Sequence, residues 1–272
     1  MRLVAATTLV QTVNDSARFG GIERLYGRTG GAAIERAHVV IVGVGGVGSW
    51  TVESLARSGV GRLTLIDLDE ICLSNTNRQL HTTKDTVGRA KVTVLAERVH
   101  AIAPDAHVHV EQRFYTQATG EDILPRDADV VIDAIDQPHN KALLVAQCMA
   151  RGQTVISVGG AGGRRDSTLI QTGDLAQTSG DGLLKRVRKI LRQEHSFPPA
   201  GVLHWGVPCV FSREPQVFPS EDGEVCDTRT QGAPSLRMGC ATGFGAACHV
   251  TGAFGFAAAG LALEHLTRQL KP

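Results

Sequence analysis

The chain has 272 residues, with 28 Lys and Arg against 27 Asp and Glu and an apolar fraction of 42%. This length corresponds to one large domain or two small ones, and the apolar content is sufficient for a buried core, which excludes disorder and collagen-like structure. The net charge of +1 argues against a surface that is basic all over, although it leaves room for a local basic patch.

Apolar runs that alternate with amphipathic stretches predict an α/β fold with a mainly parallel sheet. Residues 1–36 are expected to form an N-terminal helical arm, and residues 37–163 the nucleotide-binding α/β core. Buried strands are expected at 39–42, 63–66, 130–132 and 155–158, with a half-buried strand at 108–110. Helices are expected after the GVGGVGS segment through residue 56, and at about 87–102 and 139–149. The N-terminal residues lack a signal-peptide pattern, so a cytoplasmic protein is expected.

The second half of the chain has a different composition. Residues 164–236 are polar and rich in Gly, Pro and Ser, which predicts a long, partly flexible excursion with a helix near 183–191 and a strand around Val210. Residues 237–272 are expected to form a Gly/Ala-rich helix on the core or at a dimer interface. Because residues 238–263 contain no Asp, Glu, Lys or Arg, membrane association is the alternative. The small residues and His249 favour a buried helix.

A glycine-rich motif between the first strand and the next helix predicts a Rossmann-like nucleotide site. Gly43 permits a tight turn, Gly45 lets a phosphate approach the backbone, and Gly48 lets the helix and strand pack closely. The helix N-terminus offers free N–H groups to anions. Asp67 ends the second strand, where its carboxylate can accept hydrogen bonds from ribose hydroxyls. These features also fit an NAD-binding oxidoreductase, so the glycine motif and Asp67 alone do not distinguish the two functions.

Charged residues beyond the second and fourth strands favour ATP with Mg²⁺ as the ligand. Arg78 and Lys91 follow the second strand and are both expected on exposed loops close to the phosphate turn, and Asp136 follows the fourth strand. A triphosphate with departing pyrophosphate requires fixed cations and usually a metal ion. Arg78, Lys91 and Asp136 are therefore candidate catalytic residues, and Asp136 could hold the metal or orient the reacting phosphate.

Five motifs give the chain a family resemblance: GVGGVGSW, DLD, SNTNRQ, VGRAK and DAID. Their order and spacing resemble the ubiquitin-activating-type adenylyltransferase family, which includes the molybdopterin-synthase and thiamine-biosynthesis adenylyltransferases. The resemblance implies that a carboxylate attacks ATP to give an acyl-adenylate. It also implies a homodimer in which an N-terminal arginine acts, often from the partner subunit. The nucleotide contacts that it implies involve Gly43, Gly45, Gly46, Gly48, Asp67, Asp69, Asn75, Arg78, Lys91 and Asp136, with Arg18 or Arg24 as the arginine.

The cysteines distinguish between branches of this family. Members that serve sulfur carriers usually bind zinc through two CxxC pairs, and this chain has no CxxC pair, so no zinc site is expected. Instead, RFGGIERLYG, VGGAGG, CVFS and RMGCATGFGAA resemble the branch that acts on tRNA. That resemblance implies ATP-dependent adenylation of a threonylcarbamoyl carboxylate on tRNA, followed by ring closure with net loss of water. The alternative is activation of the C-terminus of a ubiquitin-like sulfur carrier, and a sulfur-transfer protein is a further candidate partner.

A tRNA substrate requires a cationic surface, and the segment LLKRVRKILRQ offers one. Its basic residues are expected to contact nucleic acid: Lys185, Arg186, Arg188, Lys189 and Arg192. An ordinary amphipathic surface helix is the alternative. Trp205 and Phe211 are candidates for stacking on an unpaired base. Cys240 is interpreted as a packed thiol rather than a thioester nucleophile, and Cys209 as a buried strand residue.

Overall fold

A computed structural model of the chain describes residues 17–220, 222–227 and 244–268. The strands are β1 (His38–Val42), β2 (Arg62–Ile66), β3 (His107–Glu111), β4 (Val130–Asp133), β5 (Thr154–Val158), β6 (Ile170–Asp174), β7 (Pro208–Ser212), β8 (Phe218–Pro219) and β9 (Val225–Cys226). The helices are α1 (Gly20–Arg36), α2 (Gly48–Arg57), α3 (Lys91–Ile102), α4 (Gly120–Ile123), α5 (Pro138–Ala150), α6 (Gly182–Glu194) and α7 (Cys248–Arg268).

Seven strands form one sheet in the order β3-β2-β1-β4-β5-β7-β6. All neighbouring pairs are parallel except β6 and β7, which are antiparallel. After β1 the chain builds β2 and β3 on one side and then crosses to β4 on the other. Ligands of such sheets bind where this reversal leaves a crevice, at the carboxyl ends of β1 and β4. The predicted α/β fold with a mainly parallel sheet is confirmed.

The sheet is covered on both faces, as a parallel sheet requires. In β1, Val39 and Ile41 belong to one apolar cluster, whereas Val40 and Val42 belong to a second cluster. The first cluster contains side chains of α1, α2, α3 and α7, and the second contains side chains of α5 and α6. The alternation along β1 follows from side chains that point to opposite faces of a strand.

Residues after 163 contribute two strands to the sheet, whereas their composition predicts a partly flexible excursion. Strand β7 pairs in parallel with β5, β6 pairs with β7, and α6 packs over the second apolar cluster. The predicted helix and the strand around Val210 are present, whereas β6 was not predicted. Residues 228–243, which include Cys240, lie outside the described part of the chain.

Glycines explain where α3 begins and where α1 bends. Helix α3 begins at Lys91 rather than at residue 87, because Gly88 has a φ of +84° and Ala90 is extended. Helix α1 has a kink at Gly27, where φ is +76°. Both glycines occupy a backbone region that side-chain-bearing residues avoid.

Helix α7 packs closely on α2 in the described structure. A Cβ atom at Gly255 would lie 2.7 Å from the carbonyl oxygen of Val47, so only glycine allows this approach. Thr51 in α2 also donates a hydrogen bond to the carbonyl of Gly255. Among the described residues, no helix combines the length and the apolar character needed to cross a bilayer.

Candidate functional site

The glycine loop lies at the carboxyl end of β1 and is closed by backbone contacts. Gly43 has a φ of +86°, and a Cβ atom there would lie 2.9 Å from the carbonyl oxygen of Ala134, beyond β4. A Cβ atom at Gly48 would overlap the carbonyl oxygen of Gly43. Glycine is therefore required at both positions, and the loop packs against the segment that leads from β4 to α5. Gly45 and Gly46 lie between them and are partly exposed.

Asp67 holds this loop in place from the neighbouring strand. Its buried carboxylate accepts hydrogen bonds from the backbone N–H of Val44 (2.8 Å) and of Asp69 (2.9 Å), one on each oxygen. Burial raises the pKa of Asp67, and the nearby charge of Lys91 opposes this rise. Each carboxylate oxygen can accept a further hydrogen bond, so the carboxylate retains capacity for a ligand hydroxyl.

Lys91 is buried at the start of α3 rather than on an exposed loop, where the sequence had placed it. Its side chain is 7% exposed, and its Nζ lies 2.7 Å from Oδ2 of Asp69, whose own side chain is 50% exposed. The ammonium group is therefore fixed beside Asp67, and a partly solvated carboxylate is its partner. This arrangement positions a positive charge without the cost of burying both ions.

Arg78 is anchored through its backbone and lies against the glycine loop. Its carbonyl oxygen accepts hydrogen bonds from Nε1 of Trp50 (3.0 Å) and Oγ1 of Thr251 (3.1 Å). The Cγ of Arg78 is 3.5 Å from the place that a Cβ at Gly46 would take. Its Nη1 donates to the carbonyl of Ser74 and to Oδ1 of Asn77, whereas its buried Nε has no hydrogen-bond partner among the described residues. The guanidinium group retains donors for a ligand.

Asn75 and Asp136 have different surroundings. Asn75 is buried, and its Oδ1 accepts a hydrogen bond from the backbone N–H of Cys72 (3.0 Å), so it stabilises the turn that carries Arg78. Asp136 is exposed in the segment between β4 and α5. This segment continues from Ala134, which contacts Gly43. Asp136 therefore belongs to the same sheet edge as the glycine loop.

A buried ion pair beneath this edge was not predicted from the sequence. The Nζ of Lys141 in α5 lies 3.0 Å from Oδ1 of Asp133 and donates hydrogen bonds to the carbonyl oxygens of Asp133 (2.9 Å) and Ile135 (3.0 Å). Oγ of Ser157 donates to the other oxygen of Asp133 (2.7 Å). Both charged side chains have no exposed surface. The pair fixes the backbone just before Asp136.

His81 is a second residue that sequence reasoning missed. It is buried, its Nε2 is 3.0 Å from Oε1 of Gln79, and its Nδ1 has no partner within the described structure. Burial, and to a lesser extent the charge of Lys91, lower the pKa of His81 to about 4. The imidazole is therefore neutral at neutral pH.

The shift at His81 predicts acid sensitivity. Between about pH 6.5 and pH 4 the unfolded chain binds a proton at this residue and the folded chain does not, so the free energy of unfolding falls as the pH falls. The loss is at most about 3 kcal/mol. Urea unfolding of wild type and His81→Gln across this range measures it, and the variant should show the smaller loss. Parallel curves for the two proteins would contradict the assignment.

The two N-terminal arginines have different surroundings. Nη1 of Arg18 donates to the carbonyl of Ile102, at the end of α3 opposite Lys91. Arg24 is exposed on α1. Both stay predictions for the N-terminal arginine that the family resemblance implies.

The predicted basic helix is amphipathic, with Leu184, Val187, Ile190 and Leu191 buried beneath it. Lys185, Arg186 and Lys189 are exposed. Arg188 donates to Oγ1 of Thr178, and the guanidinium carbon of Arg192 is 6.0 Å from the ring centre of Trp205. Phe211 is buried in β7, which makes it unsuitable for stacking on a base, and Cys209 is buried in β7 as expected.

Comparison with known proteins gives these features a context. The ThiF family profile matches residues 21–267. A tRNA threonylcarbamoyladenosine dehydratase of Haemophilus influenzae is 43% identical over 263 residues, which are 97% of this chain and 98% of that protein. The structure of the Escherichia coli dehydratase in complex with ATP is 40% identical with a TM-score of 0.83, and the match covers 94% of this chain and 96% of that one. The Escherichia coli sulfur carrier protein ThiS adenylyltransferase is 33% identical over 126 residues, 46% of this chain and 50% of that protein.

Proposed function

Because the chain belongs to the ThiF family, we propose that it catalyses the ATP-dependent dehydration of threonylcarbamoyladenosine in tRNA. The observation that carries the proposal is the 43% identity to a dehydratase across 97% of the chain. The match to a sulfur-carrier adenylyltransferase covers 46% of the chain, so it supports the shared adenylation chemistry rather than the same substrate.

The proposed reaction has two steps. The carboxylate of the threonylcarbamoyl group attacks the α-phosphorus of ATP, the bond to the bridging oxygen breaks, and pyrophosphate leaves. A neighbouring carbamoyl atom then attacks the activated carbonyl carbon, loses its proton, and displaces AMP to close a ring. Since the second nucleophile belongs to the substrate, proximity is supplied without an enzyme thiol.

The residues at the sheet edge support the first step. The N–H groups of the glycine loop and the N-terminus of α2 suit the phosphates, and Asp67 suits the ribose hydroxyls. Arg78 and Lys91 would neutralise the charge that develops as pyrophosphate departs. Asp69 would hold Lys91 in position, and Asn75 would hold the turn that carries Arg78.

Asp136 suits Mg²⁺ bound together with ATP. No cluster of three or more His, Cys, Asp or Glu that could hold a metal ion is present among the described residues. Mg²⁺ differs from a caged metal because it is commonly bound through one or two carboxylates together with substrate phosphates. When bound, the ion would neutralise phosphate charge, and Asp136 would orient it at the edge that Lys141 and Asp133 make rigid.

Further partners follow from the same proposal. The basic residues of α6 would contact the tRNA, and Arg18 or Arg24 would act from the partner subunit of a homodimer. A sulfur-transfer protein is a further partner to test. Because the substrate is tRNA, we expect the reaction to take place in the cytoplasm.

The deciding experiment is mass analysis of tRNA nucleosides. Incubation of the protein with ATP, Mg²⁺ and tRNA that carries threonylcarbamoyladenosine should give a nucleoside lighter by one water, with one AMP and one pyrophosphate per product. The controls are a reaction without ATP and a reaction with unmodified tRNA. AMP formation that requires a carrier protein ending in Gly-Gly would assign the chain to the sulfur-carrier branch. Protection against thermal unfolding by NAD, but not by ATP with Mg²⁺, would favour an oxidoreductase.

A further inference from the structure

A cavity of about 310 Å³ lies beside α6, away from the glycine loop. Its lining includes Lys185, Arg188 and Arg192 of α6, together with Trp205 and the segment 199–202. Helix α6 begins at the catalytic edge, since Oδ2 of its N-cap Asp181 accepts a hydrogen bond from the backbone N–H of Gly160 beyond β5 (2.9 Å). Trp205 lies before the first residue of β7, near the opposite edge of the sheet. The cavity therefore extends along α6 from near its N-terminal turn toward the opposite edge of the sheet, and none of the glycine-loop residues line it.

The basic residues of α6 fall on two different faces. Lys185, Arg188 and Arg192 are spaced by three and four residues, which places them on one face, and all three line the cavity. Arg186 and Lys189 are also three residues apart, but they are exposed on another side and do not line it. Only the first face therefore combines positive charge with a concave surface.

The cavity lacks a counter-charge of its own. No acidic residue is among the described residues that line it. Burial and the charge of Arg192 lower the pKa of Arg188, whose guanidinium donates to Thr178 and to the carbonyl of Leu175. Three cations around one cavity repel each other, and an anion bound between them would relieve that repulsion. Arginine side chains bind phosphate groups through two parallel hydrogen bonds, and the phosphates are the anions that tRNA supplies.

The other residues that line the cavity suit contact with the ring of a sugar or a base. Trp205, Pro199 and Val202 supply apolar surface, and the ring of Phe197 supports Trp205 from the edge at a centroid distance of 5.2 Å. Trp205 itself is only 7% exposed, so the apolar surface that a ring can reach belongs mainly to Pro199 and Val202, which are exposed.

We propose that this cavity binds one nucleotide of the tRNA at a distance from the nucleotide that is modified. Its phosphate would lie between Lys185 and Arg192, and its sugar or base would lie against Pro199 and Val202. This inference rests on the proposed function, because it takes tRNA as the substrate. The site would add affinity and orientation to the complex and would take no part in adenylation.

The test compares two double variants with the same loss of charge. Lys185→Gln with Arg192→Gln alters the cavity, and Arg186→Gln with Lys189→Gln alters the exposed side of the same helix. The cavity variant should raise both the Kd and the KM for tRNA by about tenfold and lower the salt dependence of binding by about one phosphate contact. The control removes two charges that would also contact the tRNA, but from the exposed side of the helix, so it should raise either constant less, by about threefold at most. The kcat and the KM for ATP should be unchanged in both.

The outcomes separate this inference from the proposed function. Equal losses in the two variants would indicate a diffuse basic surface and overturn the cavity assignment, as would unchanged tRNA binding in the cavity variant. If the cavity variant loses binding of a polyglutamate peptide but binds tRNA as the wild type does, the site would be assigned to an acidic protein instead. Filter binding of tRNA measures the cavity without turnover. A chain that binds tRNA through the cavity but forms no dehydrated nucleoside would refute the proposed function alone.

Discussion

Replacing Arg78 with Ala is expected to lower kcat/KM for tRNA by about 10²- to 10³-fold, the loss that follows removal of one group that stabilises charge in a transition state. The fold should remain, because Trp50 and Thr251 hold the backbone carbonyl of Arg78 rather than its side chain. The guanidinium group contacts only Ser74 and Asn77 among the described residues, through Nη1. Its loss therefore leaves no buried charge without a partner.

The measurement is the rate of AMP release in the presence of modified tRNA, with the melting temperature as the check on folding. Lys84→Ala is the matched control, because Lys84 is an exposed cation in the same segment before α3. Arg78→Lys should restore only part of the rate, since lysine lacks the planar fork that binds phosphate through two hydrogen bonds. Full activity of Arg78→Ala with an unchanged KM for ATP would show that Arg78 lies outside the reacting phosphates. Lys91→Ala is a less direct test, because Lys91 is buried against Asp69.

Most strands could be predicted from the sequence because their signal is local. Strands β1, β2, β4 and β5 are short apolar runs buried on both faces, and each begins or ends within one or two residues of its predicted bounds. Strand β6 has the sequence IQTGD and lies at the edge of the sheet, largely exposed. Its pairing with β7 depends on a partner about 40 residues later, which a local pattern does not reveal.

The same distinction applies to the site. Gly43, Gly48 and Asp67 could be identified because a turn, a helix and a strand end fix their spacing. The burial of Lys91 was missed, because a cation after a glycine is typical of an exposed loop. Lys141 could have been noticed, since it precedes the apolar run ALLVA in a predicted helix. Its partner Asp133 ends β4, and the pairing depends on how the chain turns from that strand into α5.

Replacing Lys141 with Met is expected to lower the free energy of unfolding by about 3–5 kcal/mol at neutral pH, the usual effect of removing one partner from a buried ion pair. Methionine fills a similar volume, so the loss comes from the carboxylate of Asp133, which keeps Ser157 as a partner and loses the ammonium group. Two carbonyl oxygens, of Asp133 and Ile135, also lose their donor. Urea unfolding monitored by circular dichroism measures the difference.

The size of this loss should depend on pH. Burial raises the pKa of Asp133 above that of the unfolded chain, and removal of Lys141 takes away the charge that opposes this rise. Above the folded-state pKa of wild-type Asp133, the variant must either bury a charge or take up a proton that the wild type does not, so its deficit grows as the pH rises. Below that pKa, Asp133 is protonated in both folded proteins and the deficit should shrink. A deficit that stays constant from pH 4 to pH 8 would mean that packing, rather than charge, is responsible.

A second substitution separates the ion pair from the carbonyl contacts. Asp133→Asn in the Lys141→Met background removes the unpaired charge, keeps an acceptor and adds donors near Ser157. The double variant should therefore regain part of the lost stability and lose the pH dependence, since replacing both ions costs less than leaving one unpaired. The loss of unfolding free energy in the double variant is compared with the losses in Lys141→Met alone and in Asp133→Asn alone. If the two single losses add up to the loss in the double variant, Lys141 and Asp133 do not act as a pair. In that case the backbone before Asp136 is held mainly by the hydrogen bonds from Lys141 to the carbonyl groups.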